Sequence, residues 1–191
     1  MENKFVNMEQ DELFEPTTVI PYSELLIGGN TSRDKKLVVP EGSEHKEWQH
    51  LVTMDDNGLT DADVTWDMSS FGSLPFSAEQ FDEIHMYDYF HKCGMQGDWR
   101  LFFHQFNEFY RILRKGGHIF ITVPQWHSMW AWSDPAAKRI ITQGTLYYLE
   151  RCNYEDGKFA HTGYVEVYKG DFEVLGSEDV NNSTLFVLRK R

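Results

Sequence analysis

One stretch of sequence decides the fold class: Arg111–Pro124, which reads RILRKGGHIFITVP. The segment that leads into it, Asp98–Leu113, predicts a helix, because apolar residues recur at the spacing of one helical face, namely Leu101, Phe102, Phe106, Phe109, Tyr110 and Leu113. Gly116-Gly117 predicts a left-handed C-terminal cap for that helix. His118–Val123 is rich in β-branched and aromatic residues, so it predicts a strand that ends at Pro124. A helix followed directly by a buried strand is typical of α/β proteins.

Further strands are predicted both before and after this helix–strand unit in the sequence. The short apolar segments concerned are Glu24–Ile27, Leu51–Met54, Asp63–Trp66, Phe81–Tyr87, Tyr164–Tyr168 and Thr184–Leu188. Two additional helix candidates are Ser43–His50 and Gln143–Cys152. Strands that alternate with helices or long crossovers predict a doubly wound, mostly parallel, Rossmann-like α/β sheet with helices on both faces. We expect residues 21–191 to form this single domain and residues 1–20 to form a polar N-terminal arm.

The composition narrows the classes of partner and compartment. Thirty acidic residues against 18 basic ones give a net charge of −12, so duplex DNA is an unlikely partner. No apolar run is long enough to span a membrane, and Met1–Pro16 lacks the order of a secretory signal. The two cysteines, Cys93 and Cys152, have no metal-ligand spacing and are too few for a disulfide scaffold. These features predict a cytoplasmic protein without a membrane partner.

Several segments, in this order, resemble class I S-adenosylmethionine (SAM)-dependent methyltransferases, in particular the small type 11-like domains. Leu74-Pro75-Phe76 followed by Phe81-Asp82-Glu83-Ile84 is similar to the approach to the family's fourth strand. The segment Arg111–Gly117, with the strand that follows it, resembles the family's helix end and fifth strand. The resemblance covers roughly residues 23–150 and implies a Rossmann-like fold that uses SAM as its cofactor.

The resemblance also implies a cofactor site at the carboxyl ends of the strands, where α/β sheets bind ligands. Gly28, Gly29 and Asn30 follow the first strand, in the place of the family's glycine-rich loop; a plain turn is the alternative. Asp55, preferred to its neighbour Asp56, would bind the ribose hydroxyls, although a turn-forming role is equally open. At the ends of the third and fourth strands, the expected contacts to adenine and to the methionine part of SAM are Asp67, Met68 and Tyr87.

Two further groups are candidates for the acceptor side. Asp88 and His91 follow the fourth strand, where the fold faces the methyl group, and are the candidate catalytic residues; a structural or surface role is the alternative for His91. The loop after the fifth strand contains Trp126, Trp130 and Trp132, which would either contact the substrate or pack in the core. The spacing of histidines and acids predicts no metal site.

The predicted function is therefore a SAM-dependent methyltransferase that acts on a small-molecule or protein acceptor. RNA stays open as an acceptor, because the aromatic loop would stack an unpaired base. The alternative is a catalytically inactive methyltransferase-fold protein that binds SAM or a protein partner. Three departures from the family favour that alternative: the glycine-rich loop is reduced to the adjacent pair Gly28-Gly29, His91-Lys92 stands where relatives have a Glu-His pair, and Ala137 stands where some have histidine. The sequence predicts no particular oligomeric state.

Overall fold

The computed structural model describes residues 20–30, 32–37 and 45–191. The predicted arm, residues 1–20, lies outside the described residues except for Ile20. Of the helix candidate Ser43–His50, residues 45–50 are described and contain bends but no helix, so that part of the prediction is wrong. No helix within the described ranges is long and apolar enough to cross a membrane.

The described strands form one seven-stranded sheet. Their bounds are Glu24–Ile27 (β1), Leu51–Asp55 (β2), Val64–Thr65 (β3), Phe81–Tyr87 (β4), Leu113–Pro124 (β5), Phe172–Val180 (β6) and Ser183–Lys190 (β7). The strand order is β3-β2-β1-β4-β5-β7-β6. β1 to β5 pair in parallel, whereas β7 is antiparallel to both β5 and β6. The predicted mostly parallel, Rossmann-like α/β fold is confirmed.

Within the described residues, four α-helices connect or follow these strands: Trp99–Ile112 (α1), Met129–Ser133 (α2), Gln143–Leu146 (α3) and Cys152–Glu155 (α4). α1 begins where the Asp98 side chain accepts a hydrogen bond from the Leu101 N–H, as an N-cap residue does. The predicted glycine cap is wrong, because α1 ends at Ile112 and the chain enters β5 at once. Gly116, with φ +79°, instead lies in an irregular part of β5.

The second helix prediction, Gln143–Cys152, is wrong as a continuous element. α3 gives way to the 3-10 turn Tyr147–Leu149, and Glu150 then adopts an extended conformation before α4. The Glu150 carboxylate accepts hydrogen bonds from the Val174 N–H and from the Asn153 side chain, which holds this break against β6. Local propensity did not reveal that long-range contact.

The predicted strand Tyr164–Tyr168 is also wrong, since it contains the 3-10 helix Tyr164–Glu166, and the real neighbour of the last strand, β6, was missed. The two tyrosines of this segment make packing and hydrogen-bond contacts instead. The Tyr164 ring lies 5.0 Å from that of Trp99, and the Tyr168 hydroxyl donates to the Leu149 carbonyl.

The two faces of the sheet centre differ in chemistry. On one face, Leu25 and Ile84 pack with α1 side chains such as Phe106 and Phe109 in one hydrophobic cluster. The other face of β1 and β4 carries Glu24, Glu83 and His85, all fully buried. The parallel strands β1 to β5 all end at the same edge of the sheet, the carboxyl edge, and the loops that follow them meet there.

Candidate functional site

A cavity of about 550 Å³ lies at the carboxyl edge of the sheet. It sits between the loops that follow β1 and β4, the point where the strand order reverses and where open α/β sheets bind ligands. Its volume suits a small ligand. The lining residues are Gly28, Gly29, Asn30, Ser32, Asp34, Lys36, Asp56, Asn57, Tyr87, Asp88, Tyr89, Lys92, Ala136 and Lys138. The structure thus brings together the predicted glycine loop, Tyr87 and Asp88.

The glycine loop is shaped around an aromatic ring. Gly28 has φ +72°, and its N–H donates to the Met54 carbonyl at 2.8 Å. A Cβ atom at position 28 would lie 2.0 Å from Cγ of Tyr89, so only glycine leaves room for this ring. Gly29 and Asn30 line the cavity beside it. Tyr89 was not singled out from the sequence; its aromatic character and its place just beyond β4 were the available signals.

The two adjacent acids after β2 have different surroundings. Asp55 is buried, and its carboxylate oxygens accept hydrogen bonds from the backbone N–H groups of Asn30 (3.0 Å) and Asn57 (2.9 Å). It therefore ties the loop after β1 to the turn after β2. Asp56 is exposed and lines the cavity. Of these two adjacent acids, Asp56 is the one that a ligand in the cavity would meet.

The predicted adenine contacts do not join the cavity. Met68 is buried in the hydrophobic cluster, and its carbonyl accepts a hydrogen bond from the Gln105 side chain. Asp67 is exposed and accepts a hydrogen bond from the Ser69 N–H at 2.8 Å. Neither residue is among those that line the cavity.

At the end of β4, Tyr87 and Asp88 both line the cavity, but Tyr87 is buried and Asp88 is exposed. The Tyr87 hydroxyl lies 2.7 Å from Nδ1 of His85 and accepts a hydrogen bond from the Lys36 N–H, while burial raises the pKa of Tyr87. Asp88 is exposed, with φ +52°, and its N–H donates to the Thr122 carbonyl. A non-glycine residue in the left-handed region is held there by such contacts. Asp88 thus presents an exposed carboxylate at the cavity, and one of its oxygens accepts a hydrogen bond from the Ser183 hydroxyl at 3.4 Å.

His91 lies away from the cavity lining. It is buried, and neither ring nitrogen has a hydrogen-bond partner among the described residues. Burial lowers the pKa of His91, so the ring is neutral near pH 7. Its neighbour Lys92 lines the cavity instead and forms an ion pair with Asp134 at 3.5 Å.

The three tryptophans lie on the surface, so the core-packing alternative is wrong. Trp126, Trp130 and Trp132 are 58%, 53% and 71% exposed, and none lines the cavity. Ser128 caps α2, which contains Trp130 and Trp132, by accepting a hydrogen bond from the Trp130 N–H. Indole Nε1 of Trp132 donates to the Trp126 carbonyl at 2.8 Å.

A buried polar cluster behind the cavity was missed from the sequence. Its members are Lys35, Glu24, Glu83 and His85; Nζ of Lys35 contacts the Glu24 carboxylate and lies 3.2 Å from that of Glu83. Nε2 of His85 donates to Glu83 at 2.9 Å. Ligand atoms of the two glutamates and the histidine lie within 4.8 Å of one another, but the Lys35 ammonium already contacts both carboxylates. The absence of a metal site stays a prediction.

The two glutamates of this cluster titrate differently. Burial, together with a hydrogen bond shared with Glu83, raises the pKa of Glu24 to about 7 despite the contact with Lys35. Burial also opposes ionisation of Glu83, but hydrogen bonds from His85, Glu24 and Tyr22 lower the pKa of that carboxyl. Glu24 is therefore the partner that holds a proton near neutrality.

This arrangement predicts a pH dependence of stability. The folded-state pKa of Glu24 is raised, so its contribution is fully present below the usual glutamate pKa near 4.3 and is lost as the pH rises through about 7. We expect the free energy of unfolding to fall between about pH 5 and pH 8, and Glu24→Gln to flatten that slope. Denaturant titrations of the wild type and of Glu24→Gln across this pH range measure the two slopes. An unchanged slope in Glu24→Gln would contradict the assignment.

Comparison with known proteins adds to this geometry. No family model matches the chain, and no curated protein matches its sequence. A SAM-dependent methyltransferase from Archaeoglobus fulgidus is similar in structure, with a TM-score of 0.51 and 14% identity over 88% of this chain and 86% of that one. A Haloferax volcanii structure, a complex of the methyltransferase activator Trm112 with a methyltransferase, gives a TM-score of 0.50 and 15% identity over 88% and 82% of the two chains.

These similarities extend over most of each chain, and they agree with the strand order and with the position of the cavity. At such low identity they bear on the fold alone. The chain therefore has the fold of the class I SAM-dependent methyltransferases.

Proposed function

We propose that this protein binds SAM in the cavity at the carboxyl edge and transfers its methyl group to a small-molecule or protein acceptor. The observation that carries the proposal is the convergence of Gly29, Asp56 and Asp88, from three different strand ends, on one cavity at the switch point of the sheet. In a fold of this class, that edge is where a nucleoside-bearing ligand is expected.

The lining chemistry fits the ribose and amino-acid parts of SAM. The Asp56 carboxylate would accept hydrogen bonds from two ribose hydroxyls, a role that the sequence assigned to Asp55. Lys92 and Lys138 supply positive charge for a ligand carboxylate. The adenine contacts predicted at Asp67 and Met68 lie outside this lining.

Bound SAM would supply an electrophilic methyl group, and the residues around it would act mainly by orientation. Asp88 has an exposed carboxylate at the cavity. This carboxylate would take up the proton that the methyl acceptor releases. His91 is buried and does not line the cavity, so it is not placed to act as a general base on a ligand there. Methyl transfer here would therefore favour an acceptor that is already nucleophilic.

The two acids after β2 provide a paired test of this site. Asp56→Ala should weaken SAM binding by about 1–3 kcal/mol, since it removes hydrogen bonds to the ligand, with little change in melting temperature. Asp55→Ala should instead lower the free energy of unfolding by a similar amount, because the backbone N–H groups of Asn30 and Asn57 lose the buried carboxylate that accepts their hydrogen bonds. Calorimetry and thermal melts on both variants make the comparison. The reverse pattern would return the ribose role to Asp55.

Activity itself is tested with SAM labelled in its methyl group. The purified protein is incubated with separated protein and small-molecule fractions of a cell extract, and label transfer is measured with Asp88→Asn as the comparison variant. The proposal expects label in at least one fraction and less label with Asp88→Asn. No transfer to any fraction, with SAM binding confirmed, would contradict catalysis.

A second candidate is a protein of the same fold that binds SAM or a protein partner without turnover. Two observations favour it: the Tyr89 ring fills the space beside Gly28, and Trp126, Trp130 and Trp132 are exposed outside the cavity lining. The Haloferax neighbour, bound to an activator protein, shows that this fold is compatible with protein partners. Under this alternative, Trp130→Ala would abolish a protein complex that the wild type forms, while SAM binding and stability persist.

A further inference from the structure

The loop and the helix α2 that follow β5 carry a group of large, exposed apolar side chains. Its members, which we call the tryptophan surface, are Trp126, Met129, Trp130 and Trp132, and these residues are between 53% and 71% exposed. The Trp132 indole N–H donates to the Trp126 carbonyl at 2.8 Å, which ties the two ends of the surface together. Large apolar side chains exposed in one short segment mark a site of interaction, because their contact with water is unfavourable.

Both ends of the segment that carries the tryptophan surface are held at the carboxyl edge of the sheet. At its start, the Gln125 N–H donates to the Asn182 carbonyl, in the turn between β6 and β7. At its end, Asp134 forms an ion pair with Lys92, which lines the cavity, and Ala136 lines the cavity itself. The segment therefore runs along the carboxyl edge from the β6–β7 turn to the cavity.

The sequence around the tryptophan surface is acidic. Residues 116–137, which contain the surface, include no lysine or arginine, and neither do residues 170–188, which form most of β6 and β7. The exposed acids Glu178 and Asp179 lie just before the β6–β7 turn, and Asp88 is exposed at the end of β4. The net charge of the whole chain, −12, has the same sign. A partner at this surface therefore meets indole rings in a negative field.

Indole rings beside carboxylates favour a cationic partner. A cation over the face of an aromatic ring is attracted by the quadrupole of the ring, and indole attracts it most strongly among the aromatic side chains. Carboxylates attract the same charge over a longer distance. The phosphates of nucleic acids and of anionic membranes have the opposite sign, so both are disfavoured at this surface. Arginine fits better than lysine, because its planar guanidinium stacks on aromatic rings and is more weakly hydrated.

We propose that the tryptophan surface binds an arginine-rich segment of a partner protein. Guanidinium groups of that segment would stack on the indole rings, and Glu178 and Asp179 would supply the neighbouring negative charge. The inference rests on the proposed function in one respect: where methyl transfer occurs, the protein that carries the bound segment is the methyl acceptor. Binding of the segment itself requires no SAM, so it is tested separately from the cofactor.

The test compares a cationic peptide with its neutral counterpart. A fluorescein-labelled peptide of alternating arginine and glycine is titrated with the full chain in the absence of SAM, at about 0.15 M salt, and binding is followed by fluorescence anisotropy. The second peptide has citrulline in place of every arginine, which keeps the planar group but removes the charge. We expect saturable binding of the arginine peptide and at least about tenfold weaker binding of the citrulline peptide. Equal binding of the two, or no saturable binding of the arginine peptide, would overturn the proposal.

Aromatic variants locate the binding on the tryptophan surface. Trp130→Leu and Trp132→Leu keep an apolar side chain but remove the aromatic face, so each should weaken binding of the arginine peptide at least about threefold. Trp132→Phe should keep part of the affinity. The matched control is Phe71→Leu, which removes an aromatic ring that is 60% exposed elsewhere in the chain and should leave the affinity unchanged. Full binding by folded Trp130→Leu and Trp132→Leu, with folding checked by thermal melts, would contradict this location.

Charge variants separate this surface from the general negative charge of the chain. The double variant Glu178→Gln/Asp179→Asn should weaken binding of the arginine peptide, whereas Glu155→Gln/Asp156→Asn should not. Glu155 and Asp156, at the end of α4, are also adjacent and exposed, so both variants change the net charge equally. Equal weakening by the two would show that binding follows net charge alone and would overturn the proposal.

Two other occupants of the tryptophan surface give different results. A membrane would be indicated by binding to phosphatidylcholine vesicles that Trp132→Leu abolishes, with no binding of the arginine peptide. A second copy of the chain would be indicated by a wild-type dimer that Trp132→Leu dissociates in sedimentation experiments. Either result would overturn the assignment of this surface to an arginine-rich segment.

Discussion

Lys35→Met is expected to lower the free energy of unfolding by about 3–5 kcal/mol at pH 8, because it removes one partner from a buried ionic cluster. Nζ of Lys35 contacts Glu24 and Glu83, whose side chains are fully buried. Without the ammonium, the two carboxylates face each other with no other lysine or arginine paired to them in the described structure. The loss should shrink as the pH falls below about 7, since Glu24 then carries a proton.

The matched control is Lys92→Met. Lys92 pairs with Asp134 at 3.5 Å, but both side chains are about one-third exposed, so the same chemical change should cost less than about 1 kcal/mol. Denaturant unfolding at pH 6 and pH 8 gives all the required values. Equal losses in the two variants would show that the cluster around Lys35 is not a buried ionic core.

Gly28→Ala is expected to have the second largest effect and to lower the free energy of unfolding by about 3 kcal/mol. Part of this loss, about 1–2 kcal/mol, comes from placing a Cβ atom on a residue with φ +72°. The rest comes from the collision with Tyr89, whose ring atoms lie 2.0–2.5 Å from the new Cβ position. The displaced ring would also disturb the cavity, so SAM binding should weaken in parallel.

Gly157→Ala isolates the backbone part of this effect. Gly157 has φ +79°, and nothing lies within 4 Å of its Cβ position, so this variant should lose only the smaller amount. Combining Gly28→Ala with Tyr89→Ala should cost less than the sum of the two single changes, because the collision disappears. If the losses in the free energy of unfolding were strictly additive, the Tyr89 ring would not be in contact with Gly28 in solution.

Regular elements with a strong local pattern were predictable from the sequence. β1 and β4 were predicted with their observed bounds, and α1 within a residue at each end. The errors fall where long-range contacts override local preference. Glu150, bound to the backbone of β6, interrupts a helix that its own sequence favours.

The sequence predicts where in the fold the candidate site lies, but not which side chains line it. Parallel strands place the ends of β1, β2 and β4 at one edge, which correctly indicated where a cavity forms. Which of two adjacent acids faces it depends on the turn after β2, where Asp55 binds two backbone N–H groups and leaves Asp56 exposed. Hydrophobicity likewise did not indicate that Trp130 is exposed.

Direct binding of SAM tests the central claim. Isothermal calorimetry with SAM and with S-adenosylhomocysteine, run beside thermal melts of the same samples, should show saturable binding and a melting temperature that rises with ligand concentration. Asp56→Ala, with its fold intact, should bind more weakly. Absence of heat and of any thermal shift at millimolar ligand, with a cooperatively folded wild type, would contradict a cofactor site at the sheet edge.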